Sequence, residues 1–118
     1  MYNQDLGQQG EQLIESYLTG KGYEILEQNY RKKTGEIDLI AKSPKKDEIV
    51  FIEVKTRKSG TYGRPEEAVD LRKLKKIEKT ALLWLNENGK TDVLWRIDVI
   101  ALELQSETKI THLENVSL

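Results

Sequence analysis

The sequence predicts an α/β fold in which a mixed β-sheet is flanked by helices, in the order αβββαββ. Two stretches carry apolar residues at helical spacing. Two β-type runs joined by a short turn read as a hairpin. A long helical stretch then separates that hairpin from another β run, the pattern of a crossover connection in a sheet.

In the first stretch, Leu6, Leu13, Ile14, Tyr17 and Leu18 recur helically, and Gly20 and Gly22 end a helix over Leu6–Thr19. Tyr23–Asn29 reads as the first strand, followed by a basic, polar loop, Tyr30–Gly35, with a Thr-Gly turn signal. Glu36–Lys42 alternates, which places Ile37, Leu39 and Ala41 on one face and Glu36, Asp38 and Ile40 on the other. Ser43–Asp47 is a turn, and Ile49–Thr56 is β-branched and nearly continuous in apolar character, as suits a central strand buried on both faces.

Lys58–Arg64 reads as a glycine-containing loop, with Pro65 opening a short helical turn. Asp70 is an N-cap residue for a long helix with the apolar stripe Leu74, Ile77, Ala81, Trp84 and Leu85, ended by Asn88-Gly89. Val93–Leu104 and Lys109–Asn115 are the last two strands. The 118 residues fit one domain spanning the chain, without repeats or low-complexity tracts.

Composition removes several classes of function. There is no Cys and only one His, His112, so any metal site is built from oxygen ligands, which suit Mg²⁺ or Mn²⁺. No apolar run approaches the roughly 20 residues that cross a bilayer. Met1–Gly10 is polar and lacks the apolar core of a signal peptide, so cytoplasmic residence is the expectation. The net charge of −1 gives no global argument for nucleic acid. Its distribution says more: Val54–Lys79 carries nine Lys/Arg against four acids. Such a stretch suits a phosphate-facing surface, and equally the solvated face of a charged helix.

Two acids and a lysine carry the chemistry. Glu53 and Lys55 are two apart on the most apolar strand and so share a sheet face. Asp38 lies on the preceding hairpin strand at a comparable height. Two carboxylates about 4 Å apart repel by roughly 4 kcal/mol at an effective dielectric of 20. A divalent cation offsets that repulsion, Lys55 assists, or one acid stays protonated. With a cation, the cluster suits phosphodiester hydrolysis, Lys55 positioning the attacking water and stabilising transition-state charge. The competing reading is a Glu53–Lys55 salt bridge on a half-exposed strand.

The chain resembles the YraN family, small bacterial proteins assigned to the PD-(D/E)XK nuclease superfamily, which includes archaeal Holliday-junction resolvases. The stretches that carry the likeness are Gly7–Glu11, Asn29–Arg31, Gly35–Ala41 and Phe51–Arg57. It continues through Gly63–Val69, Trp95–Ile100 and His112–Asn115. Two departures are mild: Ile14 stands where Ala is common, and Arg96-Ile97-Asp98 replaces Arg-Phe-Asp. The resemblance implies a restriction-endonuclease-like fold. It also implies metal coordination by Glu11, Asp38, Glu53 and the Val54 carbonyl, with Asp38, Glu53 and Lys55 as the catalytic set.

From its own position, Glu11 borders the apolar stripe and reads either as a ligand or as a first-turn acid favouring the helix dipole. Glu36 reads as support for Asp38 or as a surface ion-pair partner. Arg57 and Lys73 are candidates for phosphate contact, or solvated cations. Arg96 and Asp98 read as a structural ion pair near the sheet edge, and His112 as structural. Trp84 and Trp95 suit the core or a dimer surface.

The expectation is a Mg²⁺- or Mn²⁺-dependent nuclease acting on DNA, with branched DNA as one substrate class and a homodimer as one assembly. The alternatives are a non-catalytic nucleic-acid-binding module on the same fold, or a protein-interaction adaptor.

Overall fold

The computed structural model describes residues 6–57, 70–104 and 107–116. Helix α1 (Leu6–Gly20) precedes β1 (Glu24–Lys32), β2 (Gly35–Lys42) and β3 (Glu48–Arg57); α2 (Leu71–Glu87), β4 (Leu94–Leu104) and β5 (Thr108–Leu113) follow. The strands form one sheet in the order β1-β2-β3-β4-β5. Only β3 and β4, the pair linked through α2, run parallel; the other neighbours are antiparallel. This is the αβββαββ mixed sheet that the sequence predicts. The predicted loop Lys58–Arg64 and the turn at Pro65 lie outside the described residues.

Each helix covers one face of the sheet. On one face α2 buries Leu74, Ile77, Ala81, Trp84 and Leu85 against Tyr30, Ile37, Ile40, Ile49, Phe51 and Ile97. Phe51 meets Trp84 and Trp95 edge to face, with both ring centroids 5.8 Å away. That geometry adds about 0.5–1.5 kcal/mol per pair to the area term, with Trp84 in the core and the half-buried Trp95 packed against it. Asp70 caps α2 by accepting the Arg72 N–H. On the other face α1 buries Ile14 and Leu18 against Leu39, Ala41, Val50, Ile52, Ile100 and Leu102. Leu13, expected in that stripe, is exposed. It stands beside, not in, the i, i+4 row that Ile14 and Leu18 form.

The hairpin departs from expectation in two ways that matter for function. First, Tyr30 is buried and β1 continues to Lys32, so the expected loop Tyr30–Gly35 shrinks to a two-residue turn at Lys33-Thr34. Second, the alternation of β2 breaks at Asp38. Leu39 and Ala41 face α1, as expected, whereas Ile37 sits in the α2 core beside Ile40. Strand β1 turns over at the same level. Gln28, paired with Leu39, bonds Glu15 of α1, whereas Tyr30, paired with Ile37, lies in the α2 core. Between them Asn29 adopts φ 51°, the left-handed region that Asn tolerates better than most residues. Period-2 alternation assumes extended backbone throughout, and one left-handed residue invalidates it.

Among the described residues, no helix is long and apolar enough to cross a membrane.

Candidate active site

The break at Asp38 coincides with a fork in the sheet. The β2–β3 ladder runs from Lys42↔Ile49 to Leu39↔Ile52 and stops. Beyond it, Asp38 Oδ2 accepts the Val54 N–H at 2.7 Å, so a side chain satisfies a strand donor that no β2 carbonyl reaches. This fixes the Asp38 carboxyl between the two strands.

Glu53, one residue before Val54, is almost fully buried, with 5 % of its side chain exposed. A buried carboxylate needs compensation. Two ammonium groups supply it: Lys73 Nζ of α2 at 2.6 Å and Lys55 Nζ at 3.7 Å, both from Glu53 Oε2. The hydrogen bond and charge of Glu53 raise the Lys73 pKa, overcoming the burial that pulls it down.

Glu11 arrives from α1. Gly10 makes this possible, because a Cβ there would overlap Thr56 Oγ1. With no side chain at position 10 the helix lies directly against β3, and the next residue reaches the fork. The Glu11 carboxyl comes within hydrogen-bonding reach of Asp38 and Asn29. Burial raises its pKa, with the nearby charge of Glu36 adding to the effect.

Asp38 therefore faces acids on two sides. Burial pushes its carboxyl up to about 7, against the pull of the Val54 N–H, and the charges of Glu53 and Glu11 push the same way. Glu53 lies near enough to share a proton with it. Burial does most of this, and the repulsion anticipated for converging carboxylates adds to it.

The structure thus brings Glu11, Asp38, Glu53 and Lys55 together, with Val54 contributing its N–H to Asp38. Among the described residues, no three acidic or imidazole side chains close into a ready-made cation cage. Glu53 Oε2 is held by Lys73. The donor set itself, three neighbouring carboxyls, fits a hard divalent cation such as Mg²⁺ or Mn²⁺.

Other predicted residues fall further out. Glu36 is exposed and pairs with Arg31 at 2.9 Å, the surface ion pair that was its alternative reading. Arg57 ends β3, half-buried, opposite Glu103 in the register. Asn29 was not among the predicted site residues. Its signal was an Asn inside a strand-like run, a residue type that favours special backbone conformations.

Arg96 and Asp98 form the expected ion pair, but on an interior strand and buried, not at the sheet edge. Asp98 is fully buried and accepts from Arg96 Nε at 3.0 Å, His112 Nε2 at 2.7 Å and the Asn115 N–H at 2.9 Å. Arg96 also binds Glu48 at 2.6 Å and the Tyr23 hydroxyl at 2.8 Å. His112 is structural: its other ring nitrogen meets the Tyr17 hydroxyl at 3.2 Å.

Fold and strand order define a class. The structure is similar to the crystal structure of a repair endonuclease from Pyrococcus abyssi, with a TM-score of 0.50, 18 % identity and 90 % of this chain covered. The chain spans 41 % of that endonuclease's length. The architecture is thus α/β and restriction-endonuclease-like. Within that class, the chain belongs to the family described as uncharacterised protein family UPF0102, whose model matches residues 10–102. The UPF0102 protein of Alkaliphilus oremlandii is 47 % identical over 116 residues, covering 96 % of this chain and 97 % of the relative. That of Trichlorobacter lovleyi is 46 % identical over 115 residues, covering 96 % and 90 %.

Proposed function

We propose that this protein is a Mg²⁺- or Mn²⁺-dependent nuclease that hydrolyses phosphodiester bonds in DNA, with branched or otherwise structured DNA as its substrate class. The observation that carries this reading is the Asp38 carboxyl, fixed at the strand fork by the Val54 N–H and facing two further acids, the buried Glu53 and the half-buried Glu11. A structural protein gains nothing from concentrating three carboxyls where one must hold a proton near neutral pH. A metal site does.

Glu11, Asp38, Glu53 and the Val54 carbonyl would hold the cation. Bound there, it supplies charge neutralisation among the carboxyls and Lewis-acid polarisation of a phosphoryl group. Lys55, two residues beyond Glu53 on the same face and 34 % exposed, presents its ammonium to solvent at the margin of the acid cluster. From there it orients the attacking water and stabilises the charge that builds on the phosphoryl oxygens. Lys73 neutralises Glu53 and would be free to turn toward a phosphate if Glu53 held a cation. The fold shared with a repair endonuclease supports the same class of reaction.

One observation favours a second reading. The 2.6 Å Lys73–Glu53 contact already neutralises the most buried acid. A module that binds nucleic acid without cutting it would look the same.

The decisive experiment incubates linear, flapped and four-way DNA with the wild type and Lys55→Ala in Mn²⁺. Cutting by the wild type and not by Lys55→Ala is expected. Cutting that persists in the variant, or no cutting of any substrate, refutes the catalytic reading. Binding without cutting selects the second.

A further inference from the structure

Beside the acid cluster runs a groove of about 520 Å³ between the β1–β2 turn and α2. Its walls carry five cations, Arg31 and Lys32 on the hairpin and Arg72, Lys73 and Lys76 on α2, against two acids, Glu36 and Asp70. The chain as a whole has a net charge of −1, so this is a local concentration of positive charge on a slightly acidic protein.

The groove has a fixed shape. Thr34 in the β1–β2 turn hydrogen-bonds Thr80 of α2 at 2.7 Å. Gly35, at φ +151°, lies so close to the helix that a Cβ would stand 3.2 Å from Lys76 Cβ and 3.3 Å from Thr80 Oγ1. The hairpin is thereby clamped to α2, and the two basic walls keep their separation. The groove also leads to the chemistry. Asp70, Lys73 and Ile77 line it and equally line the small recess that contains Glu53 and Lys55.

The lining also sets what the groove can read. Among the described residues it holds no aromatic ring on which a base could stack and no Asn or Gln amide to pair with a base edge. Charge is what it offers. Arg31, Lys32 and Lys73 already have carboxylate partners in Glu36, Glu87 and Glu53. Arg72 and Lys76 make no ion pair among the described residues. They stand one turn apart on α2, about 6 Å along its axis.

We infer that this groove is the track for the sugar-phosphate backbone of DNA, gripped independently of sequence, with Arg72 and Lys76 as its phosphate contacts and the acid cluster at its end. The inference rests on the nuclease reading for the identity of the polymer, but its test needs no cleavage.

The test measures binding of a fluorescein-labelled 20-base-pair duplex, in EDTA, across a range of salt concentrations. Arg72→Gln/Lys76→Gln should weaken binding by 10-fold or more on the order set by losing two phosphate contacts, and lower the salt slope by about 2, for duplexes of unrelated sequence alike. Lys75→Gln/Lys79→Gln removes two charges from the same helix outside the groove and should leave binding within about 2-fold. Both pairs are exposed, so melting temperatures should match the wild type and separate a folding defect from a binding one. Equal weakening by both double variants, or a wild type that does not bind the duplex, overturns the groove. So does displacement of the duplex by polyglutamate of equal charge as readily as by unlabelled DNA. If the groove variants lose binding while the wild type fails to cut in Mn²⁺, the track stands and the nuclease reading falls. If the wild type cuts but the groove variants bind normally, the reverse holds.

Discussion

Asp38, half-buried, and Asp98, fully buried, are aspartates of the same sheet, yet their surroundings are opposite. Asp98, on β4, is met by a guanidinium, an imidazole and a backbone N–H. Those partners hold its carboxyl below its ordinary pKa although burial pushes it up. Asp38, on β2, receives one backbone N–H and faces two acids, and is pushed up to about 7. Burial pushes both carboxyls up, so it does not tell them apart. The neighbours separate a carboxylate that stabilises the fold from one that waits for a ligand.

The comparison predicts opposite mutational behaviour. The largest effect belongs to Asp98→Ala, which leaves Arg96 facing a truncated partner inside the protein and should cost about 3–5 kcal/mol in denaturant titration. A cost no greater than that of Asp38→Ala would erase the distinction. Next, Lys55→Ala should lower the DNA cleavage rate by about 10²–10³-fold while shifting stability by no more than about 0.5 kcal/mol. Parallel losses of rate and stability would make Lys55 structural.

Mg²⁺ at 100 times its dissociation constant should stabilise the wild type by about 2.7 kcal/mol and leave Asp38→Asn unmoved, read as the shift in melting temperature. Without metal, Asp38→Asn should be more stable than the wild type near pH 8. The sign follows from proton binding. The folded pKa of about 7 exceeds the unfolded value near 3.8. The native state therefore holds the extra proton between these values, and stability declines as pH rises through them. The advantage of the Asn variant should fade as pH falls toward 4; a constant advantage would point to a cause other than charge. Asp98, with its lowered pKa, contributes stability that is lost only on acidification. The smallest effect is Tyr17→Phe, which removes the hydroxyl bonded to His112 and should cost about 1 kcal/mol.

Much of this was legible in the sequence, because its signals were local. Continuous apolar character marked β3, helical spacing marked the α2 stripe, and a two-residue offset placed Glu53 and Lys55 on one face. The structure keeps all three. What the sequence concealed lay in the hairpin. Alternation put Ile37 with Leu39, because nothing in a residue string states that Asn29 takes a left-handed φ at the level where the two strands turn over. The Lys73–Glu53 contact joins α2 to β3 across 20 residues of chain, and no periodicity encodes which lysine of a basic helix meets which acid. Leu13 was misplaced for a simpler reason, since it neighbours the stripe without belonging to it.

Gly10 has a consequence for when the site comes into existence. Glu11 reaches the fork only when α1 is seated flush on β3, more than 40 positions later in the sequence. A nascent or partly unravelled chain can form the β2–β3 hairpin, with Asp38 and Glu53 on it, and still lack its third acid. Competence is therefore tied to completed tertiary assembly, and a methyl group at position 10 would sever that tie without altering one charged residue.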